Sequence, residues 1–128
     1  MSTKSRGINA ERDLIRKFWA AGWAALRSAG SGAQQHPSPD VIAANNLRRL
    51  ALEVKLTTKQ RQYFTEQEVK ELRDFAARFG AEPWLGVKFF REEWRFFSPE
   101  STEKTASHYV IPLATARARG LTFEELIA

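Results

Sequence analysis

The stretch Asp40–Leu56, DVIAANNLRRLALEVKL, decides how this chain folds. Asp40–Ala44 (DVIAA) and Leu50–Leu56 (LALEVKL) are short runs of strand length, and Asn45, Asn46, Leu47 and Arg48 between them read as a turn. With those four residues as the loop, Ala44 pairs with Arg49, Ala43 with Leu50, Val41 with Leu52 and Asp40 with Glu53. Side chains alternate along a strand, so this register gathers Val41, Ala43, Leu50, Leu52 and Val54 on one apolar face. Asp40, Glu53 and Lys55 fall on the other. Burial favours this pairing, because a slip of one residue would exchange the two sets.

Helical spacing appears on both sides of this hairpin. Leu14, Ile15, Phe18 and Trp19 predict a first helix over 9–21, stopped by Gly22. Trp23–Arg27 has the length of a strand, and Ser28–Pro39 is rich in Ser, Gly, Ala, Gln and Pro, which marks a loop. Downstream, Val69, Leu72, Phe75, Ala76 and Phe79 form the stripe of a second helix over Glu66–Phe79, closed by Gly80. Trp84–Phe90 and Trp94–Phe97 predict two more strands, and Tyr109–Ile111 an extended piece. Thr122 with Glu125 gives the capping-box pattern of a short last helix. Helix, three strands, helix, strands is the order of a mixed α/β domain.

At 128 residues the chain has the size of one domain, taken as 1–128, and its 43% hydrophobic and 27% charged residues suit an ordinary globule. It has no cysteine, which excludes disulfides and thiolate metal sites. The longest apolar run, Trp19–Leu26, is interrupted by Gly22 and falls far short of the roughly 20 residues that span a bilayer. No charged-then-apolar leader opens the sequence, so an intracellular location and no membrane partner are expected. The net charge of +5 is unevenly spread: residues 1–65 carry 11 basic and 4 acidic groups, residues 66–128 carry 9 and 11. A positive half of this kind points to a polyanion, or simply to a solvated basic surface.

Two carboxylates opposite one another on adjacent strands repel, so Asp40 and Glu53 require a cation between them. Lys55, on the same face, could supply it as a salt-bridged surface patch. A hard divalent cation would serve equally, with the Val54 carbonyl as a further oxygen ligand. Glu11 lies four residues before Ile15 and seven before Phe18, on the stripe that faces the sheet. It either joins this cluster or sits in water at the first helical turn, where an anion is tolerated. Arg12 and Arg27 read as surface charges by themselves. His36 and His108 lack metal-ligand spacing, and the four tryptophans read as core or interface residues, with stacking on an unpaired base as the alternative. Neither a Gly-x-Ser-x-Gly turn nor a Gly-Lys-Ser/Thr phosphate loop is present.

Pro39-Asp40, twelve residues, then Glu53-Val54-Lys55 resembles the PD-(D/E)xK nuclease motif. GINAERDL (Gly7–Leu14), RSAGSG (Arg27–Gly32), DVIAAN (Asp40–Asn45), LEVK (Leu52–Lys55), FAARFGAEP (Phe75–Pro83), VKF (Val87–Phe89) and GLTFEELI (Gly120–Ile127) together resemble the archaeal Holliday junction resolvase family. The segment Gly32–Asp40 looks longer than in the shortest members.

The resemblance implies a restriction-endonuclease-like mixed central β-sheet flanked by α-helices. It implies metal-binding acids at Glu11, Asp40 and Glu53, a catalytic lysine at Lys55 and an assisting serine at Ser31. Arg12 and Arg27 match phosphate-engaging residues, and Lys4 and Arg6 are assigned to DNA binding alongside them. Phe75 and Phe79 match an aromatic pair that contributes to a dimer, and Gln67 corresponds loosely to a helical glutamine near the site in related nucleases. The expected activity is a Mg²⁺-dependent endonuclease, with Mn²⁺ as a substitute. It would resolve four-way DNA junctions as a homodimer by paired nicks that leave 5′-phosphates. Such an enzyme would act at the nucleoid, whether encoded by a cell or a virus. A repair nickase or restriction-type enzyme on the same fold, and a branched-DNA-binding protein without catalysis, are the alternatives. An RNA-binding protein would fit the charge but not the acids.

Overall fold

Apolar faces set by strand alternation determine how the layers stack. The computed structural model describes residues 3–28 and 36–128, with side chains from Ser5 onward. Helix α1 spans Thr3–Ala20, followed by strands β1 (Ala24–Arg27), β2 (Val41–Ala44), β3 (Arg49–Thr57) and β4 (Arg61–Thr65). Helix α2 (Glu66–Phe79) leads to β5 (Glu82–Phe89), β6 (Arg95–Phe97), β7 (Glu103–Lys104) and β8 (His108–Pro112), then α3 (Leu113–Arg119) and α4 (Phe123–Ile127).

The hairpin pairs in the expected register: Val41 with Leu52, Ala43 with Leu50 and Ala44 with Arg49. Its turn is pinned by Asn45, whose Oδ1 accepts from the backbone N–H groups of Leu47 at 2.9 Å and Arg48 at 2.7 Å. Such side-chain mimicry of a backbone turn is what Asn supplies. The larger sheet has five strands in the order β1-β2-β3-β5-β6, and β3 and β5 are its parallel pair, Glu53 standing beside Leu85 and Lys55 beside Val87. A parallel pair needs a crossover, and α2 provides most of it.

One face of the sheet packs Val41, Ala43, Leu50, Leu52, Val54 and Phe96 against Leu14 and Phe18 of α1. The other packs Ala51, Leu85, Val87 and Phe89 against Val69, Leu72 and Ala76 of α2, with Phe64 and Ile111 closing the layer. Gly86 lies between the first face's Val54 and Phe96; a Cβ there would meet Val54 Cγ1 at 2.9 Å and Phe96 at 3.1 Å.

Several boundaries differ from the sequence expectation. Helix α1 begins at Thr3, because the polar residues TKSRG continue the helix without any apolar stripe to announce it. It ends where expected: the Trp23 N–H reaches back to the Phe18 carbonyl at 3.0 Å around Gly22, whose φ is 86°. A fourth strand, β4, precedes α2. It pairs with β8 in a second sheet ordered β4-β8-β7, and its exposed, polar sequence RQYFT carries little alternation. Helix α3 was not expected either. The second helix, and the Thr122–Glu125 capping box of α4, are as expected. Trp23 and Trp94 are buried, but Trp19 is 60% exposed at the end of the α1 stripe, its indole N–H donating to the Ala25 carbonyl.

Candidate active site

β2 stops pairing at Val41, while β3 runs on to Thr57. Past that point the flank of β3 is open, and Asp40 fills it: Oδ2 accepts from the Val54 N–H at 2.9 Å. A strand residue presents its N–H and C=O to the same side, so the Val54 carbonyl faces this gap as well.

The Glu53 carboxyl hydrogen-bonds that of Asp40, and Glu53 is pushed up to about 9, first by burial, then by the Asp40 charge and that hydrogen bond. Burial also raises Asp40, against the lowering effect of the Val54 N–H. Burial and mutual repulsion therefore favour the protonated form of the pair. Two buried carboxylates that cannot both ionise form a donor set suited to a divalent cation, whose charge would take the proton's place. The residues present fit such an ion.

Glu11 approaches from α1. Its Oε1 accepts from Arg27 Nε at 2.8 Å, with both side chains roughly a quarter exposed. Burial and then the Asp40 charge raise the Glu11 carboxyl, and Arg27 opposes both. Arg27 stands opposite Val41 in the sheet, on the α1 side. The acid sits neither in water nor on the Asp40–Glu53 pair, but between that pair and an arginine.

Lys55 does not pair with Glu53 directly. Its Nζ donates to the Tyr63 carbonyl and to Glu68 Oε1, each at 3.0 Å. Glu68 carries no signal in the hydrophobic pattern, but it is the fourth residue of a Thr-x-x-Glu capping box that opens α2 at Thr65. That box was visible in the sequence; its proximity to Lys55 depends on β4, which was not. Burial pushes the Glu68 carboxyl up, but the Thr65 N–H and the Lys55 ammonium outweigh it and hold it below the usual range. Gln67, the neighbour, instead donates to Glu71 on the exposed side of α2.

A cleft of about 170 Å³ opens between Gly7, Ala10, Glu11, Val54, Lys55, Leu56, Gln62 and Trp94. Next to it, and sharing Leu56 and Gln62, a groove of about 420 Å³ collects Arg6, Lys59 and Arg61. Arg12 is exposed on α1. Lys4 lies within α1 but its side chain, like the whole of Ser31, is outside the described residues. Among the described residues no three acidic or imidazole side chains already form a metal cage.

Phe75 and Phe79 stack 5.2 Å apart with rings inclined by 24°, and Phe79 is 48% exposed. With His36, Pro37, Asp74 and Arg78 they line a largely apolar cleft of about 610 Å³.

The family model for archaeal Holliday junction resolvases (Hjc) matches residues 2–128. The chain belongs to the archaeal Holliday junction resolvase family. Among the relatives of this resolvase, the crossover junction endodeoxyribonuclease Hjc of Archaeoglobus fulgidus is 40% identical, over 95% of each chain. That of Sulfurisphaera tokodaii is 33% identical, over 98% of this chain and 88% of its own. The solved structure of Archaeoglobus fulgidus Hjc, a Holliday junction resolvase, superimposes with a TM-score of 0.89 at 38% identity, covering 95% of this chain and all of that one. The mixed central sheet flanked by helices is therefore the family's fold. No helix among the described residues is long and apolar enough to cross a membrane.

Proposed function

We propose that this resolvase is a divalent-metal-dependent endonuclease that cuts four-way DNA junctions by paired nicks, with Asp40, Glu53 and Lys55 at its centre. The observation that carries the assignment is the placing of Asp40, bound to the Val54 N–H where β2 ends, against Glu53 and near the anchored Lys55 ammonium. Asp40, Glu53 and the Val54 carbonyl would hold the ion, with Glu11 completing the set; Mg²⁺ suits oxygen donors of this hardness, and Mn²⁺ should replace it. When bound, such an ion neutralises phosphoryl oxygens and acidifies a water molecule.

The chain's own residues supply the rest. Lys55 offers an N–H to a phosphate oxygen as negative charge builds on it. Arg27, aimed by Glu11, and Arg12, the next residue of α1, contact phosphates next to the scissile one, and Ser31 assists. Arg6 and Lys4 continue the contacts along the backbone. Phosphate contacts of this kind fix orientation while carrying no base sequence, so the branched shape of the DNA sets specificity. Cleavage between phosphorus and O3′ leaves a 5′-phosphate.

One chain carries one such site, and symmetric nicking needs two. A twofold homodimer through the Phe75–Phe79 cleft supplies the second, because a twofold interface presents the same patch from each copy.

A strand-labelled four-way junction, incubated with Mg²⁺, with EDTA and with the D40N variant, tests substrate, metal and site together. Paired nicks only with wild-type protein and Mg²⁺ are expected. Equal cutting of the component duplexes would make it a nickase or restriction-type enzyme, and intact junction in Mg²⁺ would make it a binding protein.

A further inference from the structure

The Glu68 carboxylate ties the first turn of α2 to the Lys55 side chain of β3. Its Oε1 accepts from the Thr65 N–H at 2.8 Å, and Thr65 Oγ1 accepts from the Glu68 N–H at 3.0 Å, so the side chain is fixed to the first turn of α2. The same Oε1 accepts from Lys55 Nζ at 3.0 Å. The ammonium is held a second time by the Tyr63 carbonyl on β4, and it lies 5.0 Å from the centre of the Phe64 ring. An ammonium has three N–H donors. Two are committed to fixed groups, which leaves one for a substrate oxygen.

A lysine side chain is a flexible four-carbon stem with high rotamer entropy, and an unanchored one must be ordered anew in every reaction cycle. Here the anchor sits on a helix end that is itself closed by a reciprocal capping box, and on a strand of the second sheet. Neither group faces the Asp40–Glu53 pair as a ligand. Both hold the amine, and the Glu68 charge in addition raises the Asp40 and Glu53 carboxyls.

We propose that Glu68 is a positioning residue for cleavage: from the capped end of α2 it holds the Lys55 ammonium where its remaining N–H can meet the phosphate. This rests on Lys55 acting in catalysis. The arrangement also gives α2 a part in the reaction.

The test compares E68A, E68Q, T65A and K55A in single-turnover cleavage of a labelled four-way junction, with junction binding measured alongside. A second readout, the rate of Lys55 acetylation by acetic anhydride followed by mass spectrometry, needs no activity. E68A should slow the cleavage step on the order of tenfold, as loss of an outer-shell partner does elsewhere, while junction affinity is unchanged. E68Q keeps an oxygen for the Thr65 N–H, so it preserves the helix end and should recover part of the rate. Lys55 should acetylate faster in both. T65A removes one of the two hydrogen bonds that fix Glu68 but leaves the Glu68–Lys55 contact, so it should slow cleavage less than E68A does.

Wild-type cleavage by E68A and E68Q would overturn the proposal, as would unchanged Lys55 acetylation, or T65A slowing the reaction as much as E68A. K55A separates the two levels. If K55A is inactive while the Glu68 variants cut normally, only the positioning role falls; if K55A itself cuts normally, the assignment of the active site falls with it.

Discussion

Glu53 hydrogen-bonds Asp40 across the gap where β2 has ended and β3 continues, and burial raises both carboxyls beside the Val54 N–H. Neither acid is placed there by packing. Asp40 occupies the position a further β2 residue would have used for the ladder, and Glu53 is held by the register of β3 between β2 and β5.

Replacing either acid should separate binding from cutting. D40N and E53Q are expected to abolish cleavage while leaving junction affinity equal or higher, because each removes an oxygen ligand for the ion and adds no negative charge against phosphate. Gel-shift titrations beside cleavage assays check this; wild-type rates in both variants would show the site to lie elsewhere.

The raised Glu53 gives the metal-free protein a defined pH response. The folded protein keeps a proton on Glu53 up to about 9, whereas the unfolded chain releases it near the usual 4.5. Folding thus binds a proton within that window, and the stabilisation, complete below it, is lost as pH rises through it. In EDTA the melting temperature should fall by several degrees from pH 5 to pH 9, and E53Q should flatten the decline. Mg²⁺ should oppose it, since an ion held by the native state alone stabilises that state.

Gly86 tests the backing of the site. A Cβ at 2.9 Å from Val54 Cγ1 and 3.1 Å from Phe96 forces a stiff β-branched side chain and a buried ring to move. G86A should cost about 1–3 kcal/mol, the usual penalty for overpacking, read from denaturant or thermal unfolding.

The aromatic pair on α2 predicts the assembly state. F75A combined with F79A should shift sedimentation toward the monomer and reduce paired nicking more than single nicking. Unchanged sedimentation would remove this face from the interface.

The basic groove predicts salt dependence. If Arg6, Lys59 and Arg61 each contact a phosphate, the log–log slope of affinity against salt should drop by about 0.9 for each one removed. A slope that R6A leaves unaltered would take Arg6 out of the binding surface.

The hairpin was legible because its two properties agree: one register both buries Val41, Ala43, Leu50, Leu52 and Val54 and aligns the two acids. The second helix was legible from Val69, Leu72 and Ala76, all of which are buried. β4 was not, since its five residues are mostly exposed and only Phe64 is fully enclosed. That omission hid the environment of Lys55, whose partners Tyr63 and Glu68 flank the β4–α2 junction. Glu11 was ambiguous for a related reason: its spacing pointed inward, but its partner Arg27 is sixteen residues away and is brought near only by the turn into β1.

The Asn45 turn lies at the far end of the hairpin from the acids, yet it sets their phase. Lengthening or shortening it by a single residue would rotate Asp40 out of step with Glu53 and send one of them toward the apolar layer. Among homologues, insertions should therefore be tolerated in outlying connections long before they are tolerated in this four-residue link, which acts as a ruler for chemistry it never touches.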